Sequence, residues 1–170
     1  MPLDEPRAMR HSPRMPSWSE FEAAAPELAA RVRARLDAHT HKTLATLRRD
    51  GSPRISGIET ELIDGELWIG SMWEARKAHD LRRDPRFALH SGSDEPADWA
   101  GDAKLAGVAE EITDPARRRE INGDKAPSGP SHLFRLDLRE VSTVGLDEAR
   151  KALVIEVWTP AGGVRTIKRA

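Results

Sequence analysis

The chain has 170 residues, 27 Lys and Arg against 28 Asp and Glu for a formal net charge of −1, and no Cys. That balance gives no global attraction to nucleic acid, and the missing Cys excludes a thiol nucleophile, a thiolate metal site and a disulfide framework. Apolar runs such as Ala152 to Val157 fall far short of the roughly 18 residues a bilayer span needs, and the N-terminus holds no apolar signal core, so a cytoplasmic protein without membrane contact is expected.

Residues 1–16 carry Pro2, Pro6, Pro13 and Pro16 without a periodic apolar face and read as a disordered leader, with one domain over 17–170. Ser19-x-x-Glu22 is a capping-box pattern that starts a helix, and Pro26 opens a second helical stretch from Glu27 to Leu36. Leu28, Val32 and Leu36 form a narrow apolar stripe on it. From His41 the signals turn to strands. Thr43 to Arg48 ends at the turn dipeptide Asp50-Gly51, Arg54 to Leu62 is extended, and Asp64-Gly65 leads into Glu66 to Ser71, which reads as a meander. A short helix from Ala75 to Arg83 stops at Asp84-Pro85, because proline disfavours helix in the residue before it. Arg86 to His90 follows as a strand, then a polar loop from Gly92 to Gly101, and Ala103 to Ile112 resumes the sheet. Asp114-Pro115 caps a charged helix. Beyond the Asn122 to Ser131 loop, Phe134, Leu136 and Leu138 alternate with charged residues; Leu153, Ile155 and Val157 then close the sheet, ahead of a last strand near Val164 to Ile167. About seven antiparallel strands with irregularly placed helices argue for a barrel rather than a doubly wound sheet.

The chemistry concentrates in Gly70-Ser71-Met72-Trp73-Glu74-Ala75-Arg76-Lys77-Ala78-His79. A strand ends in a small hydroxyl residue, and a short loop leads to a helix with Arg76 and Lys77 in its first turn. Free amides and the positive end of the helix dipole favour an anion there, and two cations at that end are costly without one. Arg offers a planar fork to phosphate oxygens and Lys a compact charge. On composition alone, a solvated charged helix is the plainer account.

The order of elements shifts that balance. Asp50-Gly51-Ser52-Pro53-Arg54, the strand ending in Ser71, the run Arg76-Lys77-Ala78-His79 and the stop Asp84-Pro85 together resemble the pyridoxamine 5′-phosphate oxidase family of FMN-binding split β-barrels. The likeness covers about residues 40–112 well and the last strands more loosely. It implies a mainly β, antiparallel split barrel, FMN as cofactor, and a homodimer with the cofactor at its interface. Position by position, it implies that Arg54, Ile55, Ser56, Gly57, Ile58 and Glu59 line the isoalloxazine ring, that Gly70 and Ser71 give backbone and hydroxyl contacts, that Arg76 and Lys77 grip the phosphate, and that Asp102 contacts the ring. Trp73, in the loop before the phosphate helix, is expected to stack on a ring or cover the pocket, or else to pack on the neighbouring subunit.

Two departures refine the expectation. Glu59 stands where the family has a Lys, and the tail after Trp158 lacks the family's Arg-Leu-His-x-Arg run. The chain is thus similar to the actinobacterial flavin- and deazaflavin-dependent oxidoreductases rather than to true pyridoxamine phosphate oxidases. The expected activity is hydride transfer to or from a small-molecule substrate, with FMN or the 8-hydroxy-5-deazaflavin coenzyme. For the latter, Arg82, Arg86 and Lys104 are candidates to meet an acidic tail. The resemblance also covers non-enzymatic flavin- or haem-binding members, for which His90 and His132 are the axial ligands to test. His39 and His41 lack a third partner of evident spacing, and no metal is expected. Isolated His90 and His132 read by default as strand-edge residues.

Overall fold

A computed structural model describes residues 14–170. Residues 1–13, most of the expected leader, lie outside the described residues. Of the rest of that stretch, Arg14 pairs with Glu20 at 2.7 Å, and the Pro16 carbonyl accepts a hydrogen bond from the Leu138 amide at 2.7 Å.

Two helices open the fold, α1 (Trp18–Ala24) and α2 (Pro26–Ala38). The capping box of α1 is Ser17 with Glu20, two residues ahead of the Ser19-Glu22 pair expected from sequence. The Ser17 hydroxyl accepts from the Glu20 amide, while the Glu20 carboxylate accepts from the Ser17 amide. The earlier start makes Trp18 and Phe21 the buried face of α1; they meet edge to face at 5.4 Å, and Phe21 packs on Trp158 at 4.8 Å. Leu28, Val32 and Leu36 of α2 are buried, as the four-residue spacing predicts.

Nine strands follow: β1 (Lys42–Leu47), β2 (Pro53–Ile58), β3 (Glu61–Ile63), β4 (Glu66–Met72), β5 (Arg86–His90), β6 (Asp102–Glu111), β7 (Ser131–Leu146), β8 (Leu153–Thr159) and β9 (Gly163–Arg169). Helix α3 (Arg76–Arg83) joins β4 to β5, and α4 (Pro115–Asn122), capped by the Asp114 side chain, lies between β6 and β7. All pairings are antiparallel, in the order β2-β1-β5-β6-β7-β4-β3, with β8 and β9 carried on the far half of β7. The expected Arg54 to Leu62 strand is broken at Glu59-Thr60, so there is no meander: β2 pairs with β1 at one end of the sheet, and β3 with β4 at the other. The sheet curls until β2 and β4 approach each other without pairing. That open seam makes this a split barrel.

The core lies inside the curl, with Leu44, Ile69, Phe87, Leu89, Leu105, Phe134, Leu136 and Leu138 closed over by α1 and α2. On β8 the buried residue is Trp158; Leu153, Ile155 and Val157, expected to close the sheet, are only partly covered or exposed, because side chains alternate along the strand and it is Glu156 and Trp158 that meet α2 and α1. A bulge bends the long strand: Ala106 pairs with Glu140 and Gly107 with Leu138, leaving Arg139 as the extra residue. A Cβ on Gly107 would stand 1.8 Å from the Asp137 carbonyl oxygen, so the close approach of β6 to β7 requires glycine there.

Candidate functional site

The open seam holds a cavity of about 600 Å³, within the range of small-molecule sites. Gly57, Ile58 and Glu59 line it from β2 and its end, Gly70 and Ser71 from β4, Trp73 from the following turn and Lys77 from α3. His41, Trp68, Lys125 and His132 complete much of the wall. Gly57 and Gly70 have nothing within 4 Å of where a Cβ would lie, so both strands present bare backbone to the cavity.

Helix α3 contributes Lys77, in its first turn, to this space. Its N-cap, Ala75, offers no side-chain acceptor, and no acid stands in its first turn. The first amides of a helix have no intrahelical partner, which leaves a donor-rich, positive end. Lys77 reaches back across the seam, its Nζ donating to the Gly57 carbonyl at 2.7 Å, and burial pushes its ammonium below the usual lysine range. A half-buried cation at a positive helix end gains most from an anion. The Ser71 hydroxyl lies 3.5 Å from the Met72 carbonyl, too far for a firm tie.

The remaining expected site residues lie elsewhere. The Arg54 Nε donates to Asp80 Oδ2 at 2.6 Å, so this side chain leaves the seam for the underside of α3. Arg54 and Arg76 line a separate groove with Arg48, Arg49, Arg82 and Arg83. Ile55 projects outward, 74% exposed, and Ser56 is half-buried on the opposite face of β2; neither lines the cavity. Asp102 sits in another cleft, between α2 and the turns of β6 to β9, where it accepts from the Trp99 indole at 2.8 Å.

Two clusters were missed by sequence reasoning. Asp80 is 3% exposed and accepts from the Thr46 hydroxyl at 2.9 Å, Arg54 at 2.6 Å and Arg83 at 3.2 Å. Burial opposes its ionisation, but these three donors outweigh it and hold the carboxyl below its ordinary range. His132, read as a strand-edge residue, is 2% exposed. Its Nδ1 lies 2.7 Å from Glu111 Oε1, while Nε2 accepts from the Glu74 amide at 3.3 Å. A carboxylate in the middle of an arginine-rich helix was the one available signal for Asp80. His132 had none, since its partners come from distant segments. Among the other described histidines, His39 pairs with Asp94 at 3.1 Å, His41 with Glu59 at 3.6 Å, His79 with Glu74 at 3.0 Å and His90 with Asp102 at 3.5 Å. Among the described residues, no group of three or more His, Asp or Glu side chains is placed to hold a metal ion. No helix among them is long and apolar enough to cross a membrane.

The split barrel with a donor-lined seam defines a class of small-molecule-binding proteins. The pyridoxamine 5′-phosphate oxidase family model matches residues 28–145, and the chain belongs to that family, whose members bind flavin or haem and act as oxidoreductases. Among curated proteins no sequence matches the chain. Several solved structures share the fold. PhzG from Burkholderia lata, in complex with tetrahydrophenazine-1-carboxylic acid, is 15% identical over 88% of this chain and 95% of its own, with a TM-score of 0.60. A conserved hypothetical protein of Mycobacterium tuberculosis is 23% identical over 66% and 81%, with a TM-score of 0.55. A heme binding protein from Mycobacterium smegmatis is 19% identical over 82% and 87%, with a TM-score of 0.54.

Proposed function

We propose that the protein is an oxidoreductase that holds FMN in the seam between β2 and β4 and transfers a hydride to or from a small-molecule substrate. The observation that carries this reading is Lys77, half-buried beside the uncapped start of α3 and facing bare strand backbone across a cavity of about 600 Å³. The residues fit the group. Lys77, the first amides of α3 and the Ser71 hydroxyl would take the phosphate, and the Gly57 and Gly70 backbones leave room for a flat ring. When bound, FMN supplies the hydride chemistry; the chain orients it and sets the electrostatics around it. Glu59, exposed at the cavity wall, places a carboxylate where a phosphorylated substrate would be repelled, which favours an uncharged or cationic one. A second copy of the chain would cover Ile55 and Met72, the latter 82% exposed beside the seam, so that the cofactor lies at a dimer interface.

The deazaflavin coenzyme is the second reading, favoured by the arginine-lined groove that runs from Arg76 and would suit an anionic tail. Of Arg82, Arg86 and Lys104, Arg82 is paired with Glu111, Arg86 with Asp84, and Lys104 does not line the groove, which leaves Arg49 and Arg76 better placed in it. Haem is less well served. Both ring nitrogens of His132 are engaged, and His90 accepts from the Gly92 amide at 3.2 Å.

The test is a visible-absorption titration of the purified protein with FMN and then with the deazaflavin coenzyme. Tight binding with a perturbed flavin spectrum supports the first reading, preference for the deazaflavin supports the second, and binding of neither overturns both.

A further inference from the structure

The turn that joins β4 to α3 is tight and strained. The Ala75 amide donates to the Met72 carbonyl at 3.2 Å, and Glu74, the third residue of the turn, adopts φ of 58°. That left-handed conformation favours glycine, and a non-glycine residue keeps it only where its surroundings over-determine it. The surroundings here are one chain of contacts. Arg82, in the last turn of α3, donates to Glu111 Oε2 at 2.6 Å; Glu111 Oε1 meets His132 Nδ1 at 2.7 Å; and His132 Nε2 accepts from the amide of Glu74 itself at 3.3 Å. The Glu74 carboxylate adds a 3.0 Å contact to His79. Burial opposes ionisation of Glu111, but hydrogen bonds from Arg82 and His132 outweigh it and hold the carboxyl below its ordinary range. A charged Glu111 can only accept, so Nδ1 carries the proton and Nε2 keeps the lone pair that the Glu74 amide needs. Both ends of α3 are therefore tied to the same imidazole.

The ring also supports Trp73. Trp73 stacks on His132 at 4.9 Å with 9° between planes, and Phe134 lies behind His132 at 6.2 Å. One indole face rests on this column, yet Trp73 remains 49% exposed and lines the seam cavity.

We propose that His132 is a positioning residue: locked as the Nδ1–H tautomer by Glu111, it clamps the Met72–Ala75 turn and presents the free face of Trp73 as a stacking platform for a planar ligand ring. The ring's identity as a flavin rests on the function proposed above; the clamp does not. An aromatic platform held from behind is ordered before the ligand arrives, so the ligand meets a fixed surface.

Two variants separate the bonds. His132→Gln can still accept from the Glu74 amide, whereas His132→Asn keeps a donor towards Glu111 but falls short of Glu74. The measurements are the His132 tautomer by ¹⁵N NMR, hydrogen exchange of the Glu74 amide, and FMN affinity with the quenching of flavin fluorescence. The expected result is an Nδ1-protonated ring in the parent protein, with Glu74 exchange about five- to tenfold faster in His132→Asn and close to the parent in His132→Gln. FMN affinity and quenching should fall together in His132→Asn and in Trp73→Leu, by about tenfold in affinity, and recover in part in His132→Gln, which restores the Glu74 bond but not the ring behind Trp73. An Nε2-protonated ring, or Glu74 exchange that is equal in all forms, overturns the clamp. Unchanged quenching in His132→Asn or in Trp73→Leu overturns the platform. If the parent binds no FMN, the functional reading fails, while the tautomer and the Glu74 exchange still decide the clamp.

Discussion

Replacing Asp80 with asparagine isolates the most heavily bonded buried charge beneath the site. The carboxylate accepts from Thr46 and Arg54 on one oxygen and from Arg83 on the other. An amide of the same shape keeps one acceptor, and whichever way it turns, its NH2 group faces an arginine. One charge-assisted bond is lost, worth about 1.5–3 kcal/mol, and the other is weakened by loss of the charge. The Arg54 and Arg83 side chains are 25% and 34% exposed, so water recovers part of that loss. The net expectation is a destabilisation of about 2–3 kcal/mol, which for a chain of this length lowers Tm by about 5–10 °C. Chemical denaturation at neutral pH measures it directly. The pH dependence follows from the lowered carboxyl. Its contribution is fully present above the unfolded-state value of about 3.9 and is lost as pH falls through the folded-state value. The gap between parent and Asp80→Asn should therefore narrow in acid. A difference below about 0.5 kcal/mol at neutral pH, or a gap that widens in acid, would refute the reasoning.

Lys77→Ala should weaken FMN binding by about 10–100-fold, the worth of one charge-assisted bond, and Arg76→Ala by less, because Arg76 lines the groove rather than the cavity. Fluorescence titration checks both, and unchanged affinity in the pair removes the phosphate assignment. Gly107→Ala drives a methyl into the Asp137 carbonyl and should cost about 3 kcal/mol or more, read from the urea midpoint; a midpoint equal to the parent's would argue against the close approach at the bulge. Ile55→Glu should convert the proposed dimer to monomers in sedimentation velocity, and a variant of unchanged mass would place any interface elsewhere.

The parts of the fold visible in sequence are those where local chemistry agrees with the tertiary outcome. The α2 stripe, the Asp84-Pro85 stop and the Asp114 cap each depend on successive residues no more than four apart in the chain. The break between β2 and β3 was not legible, because Glu59-Thr60 carries no glycine or proline and the extended pattern runs through it. The α1 cap was misread because two Ser-x-x-Glu patterns overlap, and only the packing of Trp18 and Phe21 selects the first. The same division holds at the site. The cations at the start of α3 and the strand ending in Ser71 are a local pattern. That Lys77 turns into the seam towards the Gly57 carbonyl while Arg76 lines the neighbouring groove is set by strands the sequence does not place. Glu74, Glu111 and His132 come together only when β6 and β7 pair.

The sixteen residues of β7 bond to β4, β6 and β8, so most of the sheet is organised on a strand that begins 131 residues into the chain. During synthesis, β1 to β6 leave the ribosome before the strand that joins β6 to β4 exists. Until then the two hairpins β1–β2 and β3–β4 are separate, and the seam has no shape. Contacts so distant in sequence carry a large loop-closure cost before they return any stability, which points to slow, late-committing folding. The ligand cavity is therefore among the last features to form, and a ligand that fills it acts on the end of the folding reaction rather than on its start.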